Sequence, residues 1–388
     1  MVKHIIFVLI LLISSCSKES IENADDPIDN IDHLEPEILI DPNRVRAAEI
    51  VNSMDDRLLA AQVLITGLDG RNNLPLHMID LLTEIPAGGV MLFRYNLNTD
   101  NDNIRNYIQE TSIVIQNESG IPPFIAVDHE GGIVNRFIRG VGALPAAPYY
   151  WELTQTENRL TVLNKIKEDS LRAGLEINAL GINMNFAPVA EHIIDENRDF
   201  ITSRSYGPDP FFAGQASDFF IQGMKQSGIL CVVKHFPGSA GIDPHYHPSV
   251  LNIDIFELNS LILPFTMLIN NGARAVMAAH TTIPVIDHRI ASLSPVVMQN
   301  WLRGDLGFDG IIISDDFTMA AAGNISHEEN AVLSIAAGSD IILVWQAHLR
   351  LTHQAIISAL EDGRLSHERL RDAVEKIIYE KLLMGLID

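Results

Sequence analysis

The chain has 388 residues, of which 47% are hydrophobic and 20% are charged, as in an ordinary globular protein. Its 50 acidic and 27 basic side chains give a formal net charge of −23 at pH 7. This charge argues against nucleic acid or anionic lipid surfaces as partners, because both are polyanions, and leaves neutral partners such as sugars open.

The first residues have the composition of a bacterial export signal. Lys3 and His4 precede an apolar run at residues 5–13 that is too short to span a bilayer as a mature helix. The sequence Leu-Ile-Ser-Ser-Cys that ends at Cys16 resembles a lipobox. We therefore expect residues 1–15 to be removed and Cys16 to carry a lipid that anchors the exported protein to the periplasmic or cell-surface side of a bacterial membrane. An ordinary secretory signal with a chance cysteine is the alternative.

An acidic segment follows the signal. Nine acidic residues and no Lys or Arg occur from Glu19 through Asn43. Because like charges repel and extend a chain, residues 16–43 are expected to form a flexible tether. Residues 44–388 are predicted to form a single catalytic domain that acts as a monomer.

From residue 44 onward, apolar runs typical of strands alternate with amphipathic stretches typical of helices. Helices are predicted at residues 158–180, 211–226, 256–271 and 349–360, most of them ending near a glycine. Alternating strands and helices build a parallel sheet, and eight such units fit an α/β fold of the closed (β/α)8 TIM-barrel type better than an open doubly wound sheet. The eight predicted strands are residues 61–68, 88–93, 124–128, 182–189, 229–235, 273–280, 310–315 and 340–345.

Titratable side chains stand at the ends of five of these strands. Because the strand ends of a barrel share one rim, we expect these side chains to become neighbours. A single polar residue there is as readily a supporting group as a catalyst, but five polar strand ends together favour an active site. The residues are Asp128, His129, Glu130, Glu191, Lys234, His235, His280, Asp315 and Asp316.

Two of the rim segments suggest acid–base chemistry. Asp243 lies two residues before His245 and could hold one imidazole nitrogen, leaving the other free to exchange a proton. Asp315 follows the apolar strand at residues 310–313. A carboxylate opposite an imidazole is the pair that glycosidic bond cleavage requires, since one group protonates the leaving oxygen while the other attacks the sugar carbon. Asp316 is interpreted as a cap of the helix that follows.

Two arginines and a cysteine complete the candidates. Arg136 and Arg204 lie in loops after predicted strands, where a guanidinium can bind sugar hydroxyls or orient a carboxylate, and a solvated surface arginine is the alternative for each. Cys231 lies inside an apolar strand and is expected to be buried. His245 and His247 are two residues apart, which fits a metal site only weakly, and no metal or cofactor is predicted.

Four longer motifs occur in order along the chain. They are Asp128-x-Glu130-Gly131-Gly132, Lys234-His235-Phe236-Pro237-Gly238, Asp243-x-His245 and Ser314-Asp315-Asp316. Together with smaller matches from about residue 50 to the end, they resemble glycoside hydrolase family 3, specifically its β-N-acetylglucosaminidase branch.

The resemblance implies a retaining glycosidase that releases terminal β-linked N-acetylglucosamine from cell-wall or chitin-like oligosaccharides. It implies that Asp315 is the nucleophile that forms a glycosyl-enzyme intermediate, and that His245, oriented by Asp243, is the acid and base. It further implies that the first sugar is held by Asp128, Arg136, Arg204, Lys234 and His235.

The chain also departs from the family pattern. The family usually has His-Gly-Asp-Thr after the Lys-His-Phe-Pro-Gly motif, whereas this chain continues with Ser239 and has a loop about two residues shorter. The shorter loop leaves His247 as an alternative to His245, and Glu191 stands where the family more often has Asp. Two other functions therefore stay open: a carbohydrate-binding lipoprotein without turnover, and a β-glucosidase of the same family.

Overall fold

The computed structural model describes residues 41–137 and 140–387. The expected signal peptide, the expected lipidation site at Cys16 and most of the expected tether lie outside the described residues. The folded unit begins at Asp41, slightly before the expected boundary at residue 44. Asp41 belongs to it because its carboxylate caps the first helix and accepts a hydrogen bond of 2.6 Å from the Tyr379 hydroxyl.

A closed ring of eight parallel strand positions forms the centre of the fold, as predicted. The strands are β1 Leu64–Gly67, β2 Gly89–Leu92, β3 Phe124–Val127, β4 Met184–Asn185, β5 Leu230–Cys231, β6 Val233–Phe236, β8 Ala275–Ala278, β11 Ile311–Ser314 and β12 Ile342–Val344. Strands β12, β1, β2, β3, β4 and β5 pair in that order, β6, β8 and β11 continue the ring, and an Ile313–Ile341 bridge joins β11 to the β12 side. Strands β5 and β6 are two halves of one predicted strand, interrupted at Val232.

A small separate sheet pairs in the order β10, β9, β7 and comprises β7 Ser249–Val250, β9 Thr281–Ile283 and β10 Asp287–Ile290. Helices surround the barrel, and neighbouring helices pack on one another. They are α1 Pro42–Asn52, α2 Asp56–Gln62, α3 Leu76–Glu84, α4 Arg94–Leu97, α5 Asn101–Ser119, α6 Ala147–Leu153, α7 Arg159–Asn178, α8 Arg198–Ile201, α9 Pro210–Gln226, α10 Ile255–Asn270, α11 His327–Ala337, α12 Leu349–Glu361 and α13 His367–Leu383, with a π-helix at Val296–Asp305 and 3-10 turns at Ala291–Leu293 and Ala320–Ala322.

The four predicted helices correspond to α7, α9, α10 and α12 within two residues at each end. Each ends shortly before a glycine with a positive φ, which is the conformation that stops a helix at low cost: Gly181, Gly228, Gly272 and Gly363. Within the described residues, no helix combines the length and the apolar character that a membrane span needs.

Most predicted strands are trimmed at their ends in the structure, and two of them lose more. Residues 61 and 62 belong to α2, because the Asp55 carboxylate accepts a hydrogen bond from the Leu58 N–H and so starts a helix there. The strand expected at residues 182–189 is reduced to Met184–Asn185, since Pro188 has no N–H to pair, and Val189 forms only an isolated bridge to Lys234.

The barrel strands are buried on both faces, which explains their continuous apolar sequences. All residues of β1, β2, β3, β8 and β11 are buried between the barrel interior and the helices. Cys231 is buried as predicted, and burial raises the pKa of its thiol. Each fully buried Leu, Ile or Val contributes about 1.5–3 kcal/mol, so the core holds the carboxyl ends of the strands firmly in register.

Candidate active site

A cavity of about 280 Å³ opens at the carboxyl ends of the barrel strands. This is the end of a TIM barrel on which active sites are built. Of the catalytic and sugar-binding residues that the resemblance implies, Asp243 alone does not line the cavity, and it contacts one that does. Of the strand-end residues, His129, Glu130 and Glu191 do not line it either. The cavity is lined by Asp128, Arg136, Arg204, Lys234, His235, His245 and Asp315, together with other side chains described below.

Lys234 lies at the centre of a charged cluster on one wall. Its ammonium nitrogen is 2.5 Å from Asp128 Oδ1 and 2.7 Å from Glu130 Oε1, and Arg136 Nη2 donates to Asp128 Oδ2 at 2.9 Å. Loss of water contact opposes ionisation of Asp128, but the charges of Lys234 and Arg136 outweigh it and hold the pKa of this carboxyl below its usual value. The cluster therefore presents fixed charges that can bind hydroxyl groups.

Arg204 makes a two-pronged contact with Glu130. Its Nε and Nη2 donate to the two carboxylate oxygens at 2.9 and 2.7 Å. Burial opposes the charge of the guanidinium, but the adjacent Glu130 raises the pKa of Arg204 above its usual value. The sequence suggested that Arg204 binds sugar hydroxyls or orients a carboxylate, and its contacts show the second use. The guanidinium also lines the cavity.

Glu191 is fully buried beneath the cavity and accepts four hydrogen bonds. Two come from His235, through Nδ1 at 2.8 Å and the backbone N–H at 3.2 Å, and two come from Ser239, through its N–H at 2.5 Å and hydroxyl at 3.0 Å. Burial alone would raise the pKa of Glu191, but the contacts with His235 and Ser239 lower it. Glu191 thereby joins the strand that carries His235 to the start of the shortened loop.

Asp315 follows β11 and faces the cavity. Its backbone N–H donates to the Ala278 carbonyl at 3.1 Å, and its Oδ1 accepts the Asp316 N–H at 2.8 Å. The backbone contact with the neighbouring strand fixes the carboxylate at the rim. The other oxygen, Oδ2, makes no hydrogen bond with the part of the chain that the structure describes.

The prediction that Asp316 caps a helix was wrong. Its carboxylate accepts from the N–H and hydroxyl of Thr318, both at 2.8 Å, and from the Trp345 indole at 2.6 Å. Asp316 therefore stabilises a turn, because the next α-helix begins only at His327, with Ser326 as its N-cap.

His245 reaches the cavity from the loop after β6. Its Nδ1 is 2.7 Å from Asp243 Oδ1, the contact expected from the sequence, so the opposite nitrogen, Nε2, is left for a ligand. Burial opposes ionisation of Asp243, but the hydrogen bonds from His245 lower the pKa of its carboxyl. Both His245 and the alternative, His247, are exposed, but His247 is not part of the cavity wall.

Another part of the cavity wall is aromatic. The Phe93 and Trp345 rings stack with centroids 4.7 Å apart and planes 12° apart, and Tyr95 stacks on Phe93 at 5.9 Å and 6°. Gly67 makes this approach possible, since a Cβ there would lie 3.3 Å from Trp345 and 3.4 Å from Phe93. His280 also lines the cavity, held by Ser292 at 2.7 Å and by stacking on Phe317 at 4.6 Å.

Sequence reasoning assigned no role to several of these residues. Glu130 and Glu191 were recognised only as strand-end acids, and the aromatic wall was not predicted. Phe93 and Trp345 share one sequence signal, since each aromatic residue directly follows an apolar strand. This signal predicts contact between the two rings only when β2 and β12 are known to flank β1.

The arrangement can support acid–base and nucleophilic chemistry on a neutral ligand. Asp315 offers a carboxylate and His245 an imidazole to the same cavity, while the charged cluster offers donors and acceptors for hydroxyl groups. Among residues 41–137 and 140–387, no group of three or more His, Cys, Asp or Glu side chains could hold a metal ion.

Comparison with known sequences identifies relatives over most of the chain. The sequence profile of the glycosyl hydrolase family 3 N-terminal domain matches residues 66–379. A β-hexosaminidase of Hydrogenovibrio crunogenus is 36% identical over 251 residues, which cover 63% of this chain and 70% of that protein. A β-hexosaminidase of Stenotrophomonas maltophilia is 32% identical over 300 residues, which cover 76% of this chain and 86% of that protein.

A solved structure has the same fold. The glycoside hydrolase family 3 β-N-acetylglucosaminidase from Paenibacillus sp. superposes with a TM-score of 0.80 and 28% identity, covering 86% of this chain. The present chain covers 63% of that protein, slightly less than two thirds of its length.

Proposed function

The chain belongs to glycosyl hydrolase family 3 and is a glycosidase that acts on β-N-acetylhexosamine, and we propose that it releases terminal β-linked N-acetylglucosamine from chitin-like or cell-wall oligosaccharides. The reaction retains configuration at the sugar carbon. Asp315 is the nucleophile, and His245 is the acid and base. The observation that carries this proposal is that a carboxylate and an Asp243-oriented imidazole line one cavity.

In the first step, an Asp315 oxygen forms a bond to C1 of the sugar while the bond from C1 to the leaving oxygen breaks. The protonated His245 gives its Nε2 proton to that oxygen, so the rest of the oligosaccharide leaves as a neutral alcohol. The hydrogen bond from Nδ1 to Asp243 supports this role, since it stabilises the imidazolium and fixes the ring.

In the second step, His245 accepts a proton from water while the water oxygen bonds to C1. The ester bond to Asp315 breaks and the carboxylate is regenerated. Two inversions at C1 give net retention. The second step returns to His245 the proton that the first step removed, so one imidazole serves both steps.

The charged cluster holds the sugar in this scheme. Asp128, Arg136, Lys234, His235 and Arg204 bind the hydroxyl and acetamido groups of the terminal residue. Paired charges suit this task because their remaining donors and acceptors are already oriented, so the sugar is bound without much reorganisation of the side chains.

The decisive experiment is trapping with a 2-fluoro analogue of the substrate that has a reactive leaving group, followed by peptide mapping. A label on the peptide that contains Asp315 is the expected result, together with loss of aryl N-acetyl-β-glucosaminide hydrolysis in Asp315→Ala. A label on another residue, or full activity of Asp315→Ala, would contradict the nucleophile assignment. Faster hydrolysis of the aryl glucoside would identify a glucosidase, and sugar binding without turnover would identify a binding protein.

We also propose that the protein is exported and anchored through lipid on Cys16. The lipobox-like sequence and the acidic segment after it support this proposal. Expression in a bacterium fed a labelled fatty acid should label the wild-type protein and leave Cys16→Ala unlabelled and released from the membrane fraction. Equal labelling of both proteins would contradict it.

A further inference from the structure

The aromatic wall lies between the proposed nucleophile, Asp315, and one of the proposed sugar-binding residues, Asp128. Along the barrel the strands run β11, β12, β1, β2, β3, so Trp345 and Phe93, which follow β12 and β2, lie on the arc from Asp315 to Asp128. A sugar that contacts both Asp128 and Asp315 occupies the cavity that Phe93 and Trp345 also line. It therefore passes beside the aromatic wall.

Trp345 has one face available for a ligand. Phe93 covers the other face, and Phe93 is itself enclosed by Tyr95 on its far side. The indole N–H donates to Asp316 Oδ2 at 2.6 Å, and this bond fixes the plane of the ring next to Asp315. The indole is thus a rigid surface that needs no reordering when a ligand binds.

From this geometry we propose that Trp345 binds the pyranose ring of the terminal sugar, an inference that rests on the proposed function and deepens it. The ring of a β-linked N-acetylglucosamine has equatorial substituents, so its faces consist of C–H groups that an aromatic ring can cover. The cavity of about 280 Å³ is at the small end of ligand pockets, which suits one sugar rather than two.

The chain offers a direct spectroscopic test. It contains three tryptophans, Trp151, Trp301 and Trp345, of which only the last is among the residues that line the cavity. Titration of the wild-type protein with N-acetylglucosamine should change the tryptophan emission in a saturable manner. The change should persist in Trp151→Phe and in Trp301→Phe, and should disappear in Trp345→Phe.

Kinetics provide an independent readout that uses a substrate with no second sugar and no aromatic leaving group. With N-acetylglucosaminyl fluoride, Trp345→Leu should raise KM about tenfold, while Trp345→Phe, which keeps a flat ring on Phe93, should recover part of the loss. Circular dichroism melting of each variant controls for folding.

The outcomes separate this inference from the proposed function. Hydrolysis by the wild-type protein with unchanged emission on sugar binding, or an unchanged KM in Trp345→Leu, would overturn the role of Trp345 and leave the enzymatic function intact. If Trp345→Leu hydrolysed chitobiose less well than the wild type but hydrolysed the fluoride equally well, the role would also be overturned, because Trp345 would then bind the second sugar. A wild-type protein that neither binds nor hydrolyses the sugar would refute both.

Discussion

The backbone N–H of Ala320 donates a hydrogen bond to the carbonyl oxygen of His245, with the two atoms 3.2 Å apart. The next N–H, that of Ala321, donates to Pro244 at 3.0 Å. Ala320 begins the 3-10 turn in the loop that follows Asp315. The loop that carries the histidine is thus attached to the loop that carries the proposed nucleophile.

Removal of one of these bonds tests whether the attachment matters for catalysis. Ala320→Pro deletes the N–H, and proline suits the first position of a helical turn after an extended residue such as Met319. We expect kcat for an aryl N-acetyl-β-glucosaminide to fall about tenfold with little change in KM, because the imidazole loses its alignment with the leaving oxygen. Ala320→Ser keeps the N–H and is the control. Equal kcat in Ala320→Pro and wild type would contradict the prediction.

The two histidines of the shortened loop can be separated by their response to an added nucleophile. His245→Ala should lower kcat on the order of 10²–10⁴-fold, the range for loss of a general acid–base group. His247→Ala, whose side chain is not part of the cavity wall, should stay near wild type. With a 2,4-dinitrophenyl leaving group, which needs no acid, His245→Ala should form the intermediate rapidly and hydrolyse it slowly.

Azide should then restore turnover of His245→Ala and yield the β-glycosyl azide, since azide attacks C1 without a base. The product is identified by mass spectrometry and NMR. Rescue of His247→Ala instead, or an α-configured product, would contradict the assignment of His245 within a retaining mechanism.

Buried Glu191 should make the stability of the protein sensitive to acid. Burial opposes its ionisation, but hydrogen bonds from His235 and Ser239 outweigh burial and lower its pKa below the unfolded value of about 4.3. Because the pKa of Glu191 is lower in the folded state than in the unfolded state, its carboxylate stabilises the fold at pH values above the unfolded pKa. This contribution is lost as the pH falls through the folded-state pKa. The free energy of unfolding should therefore decrease below about pH 4.

Glu191→Gln should show a shallower decrease in that range, and should be less stable at neutral pH by about 1–3 kcal/mol, because an amide NH₂ would face the Ser239 N–H. Urea titrations at a series of pH values measure both effects. The exposed Glu361→Gln serves as the control. The same pH dependence in Glu191→Gln and wild type would contradict this account.

The barrel could be predicted from the sequence because its strands are buried on both faces. Residues 124–127 and 310–313, for example, are continuous apolar runs that are closely followed by acids, and a parallel barrel brings such ends together whatever their separation in the chain. The contact of His245 with Asp243 was predictable for a different reason, since it is local in the sequence.

Contacts that depend on the order of strands around the ring were not predictable. Nothing in the sequence links Phe93 with Trp345, which stack because Gly67 leaves room between β2 and β12. The role of Asp316 was misjudged because an acid after a strand serves a turn or a helix equally well, and the distance to the next helix decides between them.

Lys381 supports a last prediction, which concerns the stability of the protein at neutral to alkaline pH. Its ammonium is fully buried and bonds to the Gly88 carbonyl at 2.9 Å and to Gln62 Oε1 at 3.2 Å, and no carboxylate of the described residues pairs with it. Burial lowers the pKa of Lys381 to about 7. In the unfolded chain the pKa of this lysine is about 10.4, so above about pH 7 the unfolded chain binds more protons than the folded protein does. The free energy of unfolding should therefore rise with pH until the pH reaches the unfolded pKa of about 10.4.

Lys381→Met removes the titrating group and should abolish this rise, whatever its effect on stability at a single pH. The matched control is Lys376→Met on the same helix, whose ammonium pairs with the partly exposed Asp372 and should leave the slope unchanged. Urea midpoints from about pH 6.5 to about pH 9 measure the slope, below the range in which tyrosines titrate. A rise of equal size in Lys381→Met and wild type would mean that other groups cause it, because linkage assigns the slope to the groups whose pKa differs between the folded and unfolded states.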